Sequence, residues 1–229
     1  MPYPDITDFE ASIPQSSVPT GLLPDDWFSR FGTGPKQTPR FATLIAAFEA
    51  QAKEQPDAIA VEWRGESLSY GALDRAANRL ATVLRGHGVQ HGDAVCLYLV
   101  RSIGMVVGIV AAMKIGAAYV PQHLGVAPEK ALRHIAQATR AKVILTLAKT
   151  VDDIPKEESR ITIAIDEIMA DSTIDATPMP VPTVADDRCM VLFTSGTTGT
   201  PNGVQVTHRN LANILLTSPG DMGIRPGLR

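Results

Sequence analysis

Apolar positions follow two rhythms along this chain, and each change of rhythm marks the start of a new element. Phe41, Leu44, Ile45 and Phe48 recur at helical spacing until Pro56, which predicts a first amphipathic helix. Positions 58–63 and 66–69 flank Arg64-Gly65, a two-residue connection with glycine where positive φ is needed, so a hairpin is expected. Ser69 is placed to cap a helix that carries Leu73, Ala76, Ala77, Leu80 and Leu84 inside. Asp74, Arg75, Asn78, Arg79 and Arg85 lie outside, and the helix stops at Gly86-His87-Gly88. The pattern then alternates: a strand at 94–99, an all-apolar helix at 102–115, a strand at 117–120, a helix at 128–139 and a strand at 142–145. Strands that are apolar on both faces and separated by helices imply an α/β fold, a mostly parallel sheet with helices on both faces. A last strand, 189–193, runs into a polar stretch, followed by a strand at 204–207 and a helix at 208–216.

Charge changes this picture more than bulk composition does. With 45% hydrophobic and 20% charged positions in 229 residues, the chain can build a core in one or two domains. Residues 1–40 hold seven of the 17 prolines, a net charge of −2 and no sustained period, and read as an extended leader. Residues 151–187 carry ten acids against Lys156 and Arg160 and end in Pro178-Met179-Pro180-Val181-Pro182, so an acidic surface excursion and linker is expected there. What remains is net positive, which suits an anionic ligand. The longest apolar run, 104–113, is about half of what a bilayer requires, so no membrane partner is expected. The N-terminal residues have neither a basic leader nor an apolar stretch behind them, which points to a cytoplasmic protein. A net charge of −3 without a basic, aromatic-interleaved cluster gives no reason to expect nucleic acid. Cys96 and Cys189 sit far apart inside apolar runs and read as reduced core thiols, and His123 is lone, so no metal site is expected.

One segment has a composition that a packed core does not explain. Thr194 to Gly203 is ten consecutive residues without a large apolar side chain, placed directly after a buried strand. Its glycines let the backbone approach a ligand, and its hydroxyls and successive N–H groups supply donors without bulk, which is how a chain wraps phosphate oxygens. Neither Gly199 nor Gly203 is followed by Lys-Ser/Thr, so this is not the Walker A pattern.

The run Leu192-Phe193-Thr194-Ser195-Gly196-Thr197-Thr198-Gly199-Thr200-Pro201-Asn202-Gly203-Val204, followed by Thr207-His208-Arg209-Asn210-Leu211, resembles the signature of the adenylate-forming, AMP-binding superfamily. Two further motifs precede it in order: Leu68-Ser69-Tyr70-Gly71-Ala72-Leu73 and Met113-Lys114-Ile115-Gly116-Ala117-Ala118-Tyr119-Val120-Pro121 resemble the first and second core motifs of nonribosomal peptide synthetase adenylation domains. The resemblance covers 41–229 and implies an incomplete N-terminal subdomain of an adenylate-forming enzyme. It further implies a chemistry in which a carboxylic or amino acid attacks the α-phosphate of ATP, pyrophosphate leaves, and the acyl-adenylate passes to a thiol such as that of a carrier protein. By the same resemblance, Thr194, Ser195, Gly196, Thr197, Thr198, Gly199, Thr200, Asn202 and Gly203 would hold the β- and γ-phosphates, with Mg assisting.

Two departures stand out. Asn202 occupies a slot where the family usually has lysine, and Gln122-His123-Leu124 replaces the usual continuation of the second motif. The family's later motifs lie beyond Arg229, so no catalytic residue is assigned and autonomous turnover is not expected. Two alternatives follow: a nucleotide- or pyrophosphate-binding fragment, or an interaction fragment that pairs with a complementary chain.

Overall fold

The computed structural model describes residues 38–179, 181–194 and 201–217. The leader expected at 1–40 lies almost wholly outside them.

Helix α1 (Leu44–Glu54) starts where Thr43 accepts the Ala46 N–H at 3.3 Å. Strands β1 (Ile59–Trp63) and β2 (Glu66–Ser69) form the expected hairpin as a separate antiparallel pair, with φ of 52° at Arg64 and 85° at Gly65. Two successive positive φ values match the twist of the flanking strands. Ser69 then caps α2 (Tyr70–Gly86), accepting the Ala72 N–H at 3.2 Å. The alternating region gives β3 (Ala94–Leu99), α3 (Ile103–Lys114), β4 (Ala118–His123), α4 (Glu129–Thr139) and β5 (Val143–Thr146). All six residues of β3 are buried, as its unbroken apolar run requires.

The main sheet has six strands in the order β6-β5-β3-β4-β7-β8, where β6 is Ile161–Ala164, β7 Arg188–Thr194 and β8 Asn202–Thr207. Every neighbouring pair is parallel except β7 with β8. Two apolar cores cover its faces. On one side α1, α2 and α3 pack through residues such as Ile45, Leu80 and Val107, and on the other α4 packs through Leu132, Ile135 and Ala136. Helices on both faces of a mostly parallel sheet are what the alternation of elements predicts.

The acidic segment differs from its sequence reading. Residues 151–187 include β6, which extends the parallel sheet beside β5, and a short helix α5 (Ile165–Ala170) whose first residue is completely buried. Ile163 and Ile165 face the core while the acids face water or make hydrogen bonds and ion pairs. Asp166 accepts the Ala148 N–H at 2.9 Å, and Asp171 and Asp175 accept from Thr173 and Thr177. A four-residue strand needs few apolar positions, so the net charge of the segment hid it. Beyond α5 the chain runs along α2, where the Thr82 hydroxyl lies 3.1 Å from the Asp175 carbonyl.

Two polar residues are more buried than their sequence rhythm suggests. Asn78, placed on the outer face of α2, is 3% exposed and donates to Asp74 Oδ2 at 3.1 Å. Lys114, the last residue of the all-apolar α3, is buried with Nζ 2.9 Å from Asp74 Oδ1 and 3.2 Å from Glu49 Oε1. That ion pair ties α3 to α1 and α2, because an unpaired buried ammonium would be far too costly.

Candidate functional site

Strand β7 lies beside β4 with Tyr119 opposite Met190, so its carboxyl end emerges on the same edge as the carboxyl ends of β3, β4 and β5. In open parallel sheets that edge is where ligands bind. There β7 and β8 pair antiparallel, with Thr194 opposite Asn202, both exposed. The described ends of the segment with phosphate-binding composition, Thr194 on one side and Asn202 and Gly203 on the other, therefore lie on paired strands held by the sheet.

Gly203 is fixed by packing. It lies opposite Phe193, and a Cβ there would meet Phe193 Cζ at 3.0 Å and Val191 Cγ1 at 3.2 Å. A Cβ at this position would press the ring away by a few tenths of an ångström, so the glycine lets Phe193 lie close over its partner strand one pair before Thr194 and Asn202. On the other stem the Pro201 carbonyl lies 3.2 Å from His134 Nε2 of α4, and the His134 ring meets Phe193 edge-on with centroids 6.4 Å apart.

The base of the hairpin is braced by polar contacts. Asp187 Oδ2 accepts from the Val184 N–H at 2.8 Å and pairs with His91 Nε2 at 3.0 Å, and these contacts hold its carboxyl below the usual carboxylate range. Arg188 donates to the Gly92 carbonyl at 2.6 Å. Helix α6 (His208–Thr217) follows β8 directly. Thr207 and Asn210 cap it reciprocally, and the His208 and Arg209 N–H groups bond to the carbonyls of Asp187 and Ala185. His208 is 1% exposed, and its Nδ1 accepts the Leu44 N–H at 3.3 Å, so it joins this end of the chain to α1. Burial pushes the His208 imidazole below its ordinary value, with Asp187 opposing.

Residues 48–225 match the AMP-binding enzyme family. The chain belongs to that family. Among curated relatives, adenylate-forming reductase 06235 of Coprinopsis cinerea is 39% identical over 204 residues, which are 88% of this chain and 20% of the relative. Tyrocidine synthase 3 of Brevibacillus parabrevis is 35% identical over 199 residues, which are 87% of this chain and 3% of that much longer relative. Among solved structures, the nonribosomal peptide synthetase FmoA3 in its AMPPNP-bound form superposes with a TM-score of 0.77 at 26% identity, covering 87% of this chain and 21% of that one. The N-terminal subdomain of Klebsiella oxytoca NpsA gives 0.66 at 26% identity, covering 75% and 44%. The chain thus spans about a fifth of the length of the first of these relatives, and it is a partial adenylation domain.

For this AMP-binding chain the structure brings together Thr194, Asn202 and Gly203 at the head of the hairpin. Ser195, Gly196, Thr197, Thr198, Gly199 and Thr200 lie outside the described residues. Sequence reasoning missed His134, because a lone histidine in a helix carries no signal until the fold supplies its partner, and it gave His208 no role beyond its place in the signature run. Both thiols are buried and free, and burial pushes each up to about 11, which leaves them without nucleophilic character at neutral pH. His123, at the end of β4, is exposed beside a cavity of about 650 Å³ that Arg64, Arg101 and Lys149 also line. Among the described residues no group of three His, Cys, Asp or Glu side chains could hold a metal ion, and no helix is long and apolar enough to cross a membrane.

Proposed function

We propose that the tip of the β7–β8 hairpin binds the β- and γ-phosphates of ATP as part of an enzyme that activates a carboxylic or amino acid. The observation that supports this reading most strongly is the placement of Thr194 opposite Asn202 at the carboxyl edge of the parallel sheet, where they bracket a stretch of small residues, glycines and hydroxyls. Backbone N–H groups and hydroxyls fixed by the stems stabilise charge on the departing pyrophosphate without reorganising. Thr194 and Asn202 offer a hydroxyl and an amide at the entrance, and Asn202 supplies a neutral donor where a lysine would supply a charged one. Mg would be carried with the triphosphate, whose charge it neutralises. In-line positioning of the α-phosphate and the acid falls to parts of the domain outside this chain. A carrier-protein thiol as acceptor and a cytoplasmic setting complete the proposal.

A second reading, a fragment that works by pairing with a complementary chain, is favoured by one observation. Leu192 and Val204 face each other across the outer two strands and are 43% and 50% exposed, an apolar pair open to solvent beside the proposed site.

Calorimetry with Mg-pyrophosphate and MgATP tests the first reading. The chain is expected to bind both, to lose binding on Thr197→Ala with Thr198→Ala, and to show no carboxylate-dependent exchange of pyrophosphate into ATP alone. Absence of binding to either ligand refutes the phosphate assignment.

A further inference from the structure

We propose that His134 is a positioning residue for the phosphate hairpin, holding both of its stems so that the returning limb enters β8 in one register. The inference rests on the phosphate-binding reading above for its consequence, but its geometry is independent of it. A carbonyl oxygen only accepts, so at 3.2 Å from the Pro201 carbonyl the His134 Nε2 carries a proton and donates. The same ring stands edge-on to Phe193 at an interplanar angle of 87°. One imidazole therefore touches the outgoing limb just before Thr194 and the returning limb just before Asn202.

Pro201 explains why such a contact is needed. Proline has no N–H, so the carbonyl is the one backbone hydrogen-bonding group of Pro201, and His134 supplies a donor to it. The anchor is well held. Leu132, Ile135 and Ala136 of α4 are at most 3% exposed, and the Tyr98 hydroxyl donates to the Leu132 carbonyl at 2.6 Å. A clamp on a packed helix transmits little play to the loop it holds.

Three variants of the full chain separate donor from ring: His134→Phe keeps an aromatic edge without the N–H, His134→Gln keeps an N–H without the ring, and His134→Ala removes both. Two quantities are read: amide hydrogen exchange in peptides covering 201–207, and affinity for Mg-pyrophosphate. His134→Phe and His134→Ala are expected to accelerate exchange at Asn202 and Gly203 and to weaken pyrophosphate roughly two- to ten-fold, the range of one hydrogen bond. His134→Gln restores most of both. Unchanged exchange and affinity in His134→Phe overturn the proposal, as does equal acceleration throughout β3 and β4, which marks general loosening. If the His134 variants bind as the parent does while Thr197→Ala with Thr198→Ala loses binding, the clamp fails and the phosphate reading stands. A parent that binds no pyrophosphate, but whose exchange still responds to His134, refutes the phosphate reading and supports the clamp.

Discussion

Replacing Gly116 by alanine tests how the sheet's amino edge supports the hairpin. Gly116 ends α3 at φ +70°, and its carbonyl accepts the Gly92 N–H at 2.9 Å. A Cβ there would lie 2.2 Å from His91 Cδ2, so the imidazole must leave. Leaving breaks its 3.0 Å contact with Asp187, the residue at the entrance to β7. A left-handed conformation costs a non-glycine residue about 1–2 kcal/mol. Because His91 is 43% exposed at its side chain, its contact with Asp187 contributes only about 0.5–1 kcal/mol. The expected destabilisation is about 2 kcal/mol, a fall in Tm of roughly 4–8 °C for a chain of this size. Urea unfolding of Gly116→Ala in the parent and in a His91→Ala background measures both parts. In the second background the cost should fall by the His91–Asp187 contribution, leaving about 1–2 kcal/mol for the backbone. A total below about 0.5 kcal/mol, set against that backbone cost, refutes the strain argument. Equal costs in the two backgrounds refute the relay through His91.

Asn202→Lys is expected to tighten Mg-pyrophosphate several-fold, about 1 kcal/mol, because a charged donor replaces a neutral one at the hairpin entrance; calorimetry at one magnesium concentration measures it. His208 takes up its proton at lower pH when folded than when unfolded, so the stability it provides is full above about pH 6.5 and is lost as pH falls from there toward its folded value. Thermal melts from pH 8 to 5 should show that decline, and His208→Asn, which keeps an acceptor for Leu44, should flatten it. Arg140 caps α4 in the left-handed conformation at φ 53°, so Arg140→Gly should stabilise the chain by about 0.5–1 kcal/mol in urea unfolding.

What the sequence made legible depends on the range of the interaction involved. Helix α2, its Ser69 cap and the β1–β2 turn are decided within a few residues by period, a hydroxyl and a glycine, and they stand where pattern places them. The α3–β4–α4–β5 alternation was equally plain, because strands buried on both faces leave unbroken apolar runs. Strand β6 was not legible, since four residues inside an acidic segment give too short a rhythm, and only pairing with β5 makes Ile163 a core residue. Asn78 was misjudged as an outer-face position of α2, since the structure buries it and pairs its amide with Asp74 one turn away. At the candidate site composition marked the loop, but the Phe193–Gly203 packing and the His134 contact exist only once β8 has returned alongside β7.

The strand order has a consequence for the sequence of events in folding. After β4 the chain crosses to the opposite side of β3 to lay down β5 and β6, and only then comes back to set β7 against β4. Tyr119 thus waits for Met190 through the synthesis of both strands on the far edge. The loop closure that brings them together is the long-range step, while β3, β4 and β5 join through nearer neighbours. The β7–β8 pair is therefore expected to dock late onto a sheet already assembled, and during synthesis the open flank of β4 stays unpaired until β7 leaves the ribosome. Any slowing of that return lengthens the time an apolar strand edge is open to wrong partners.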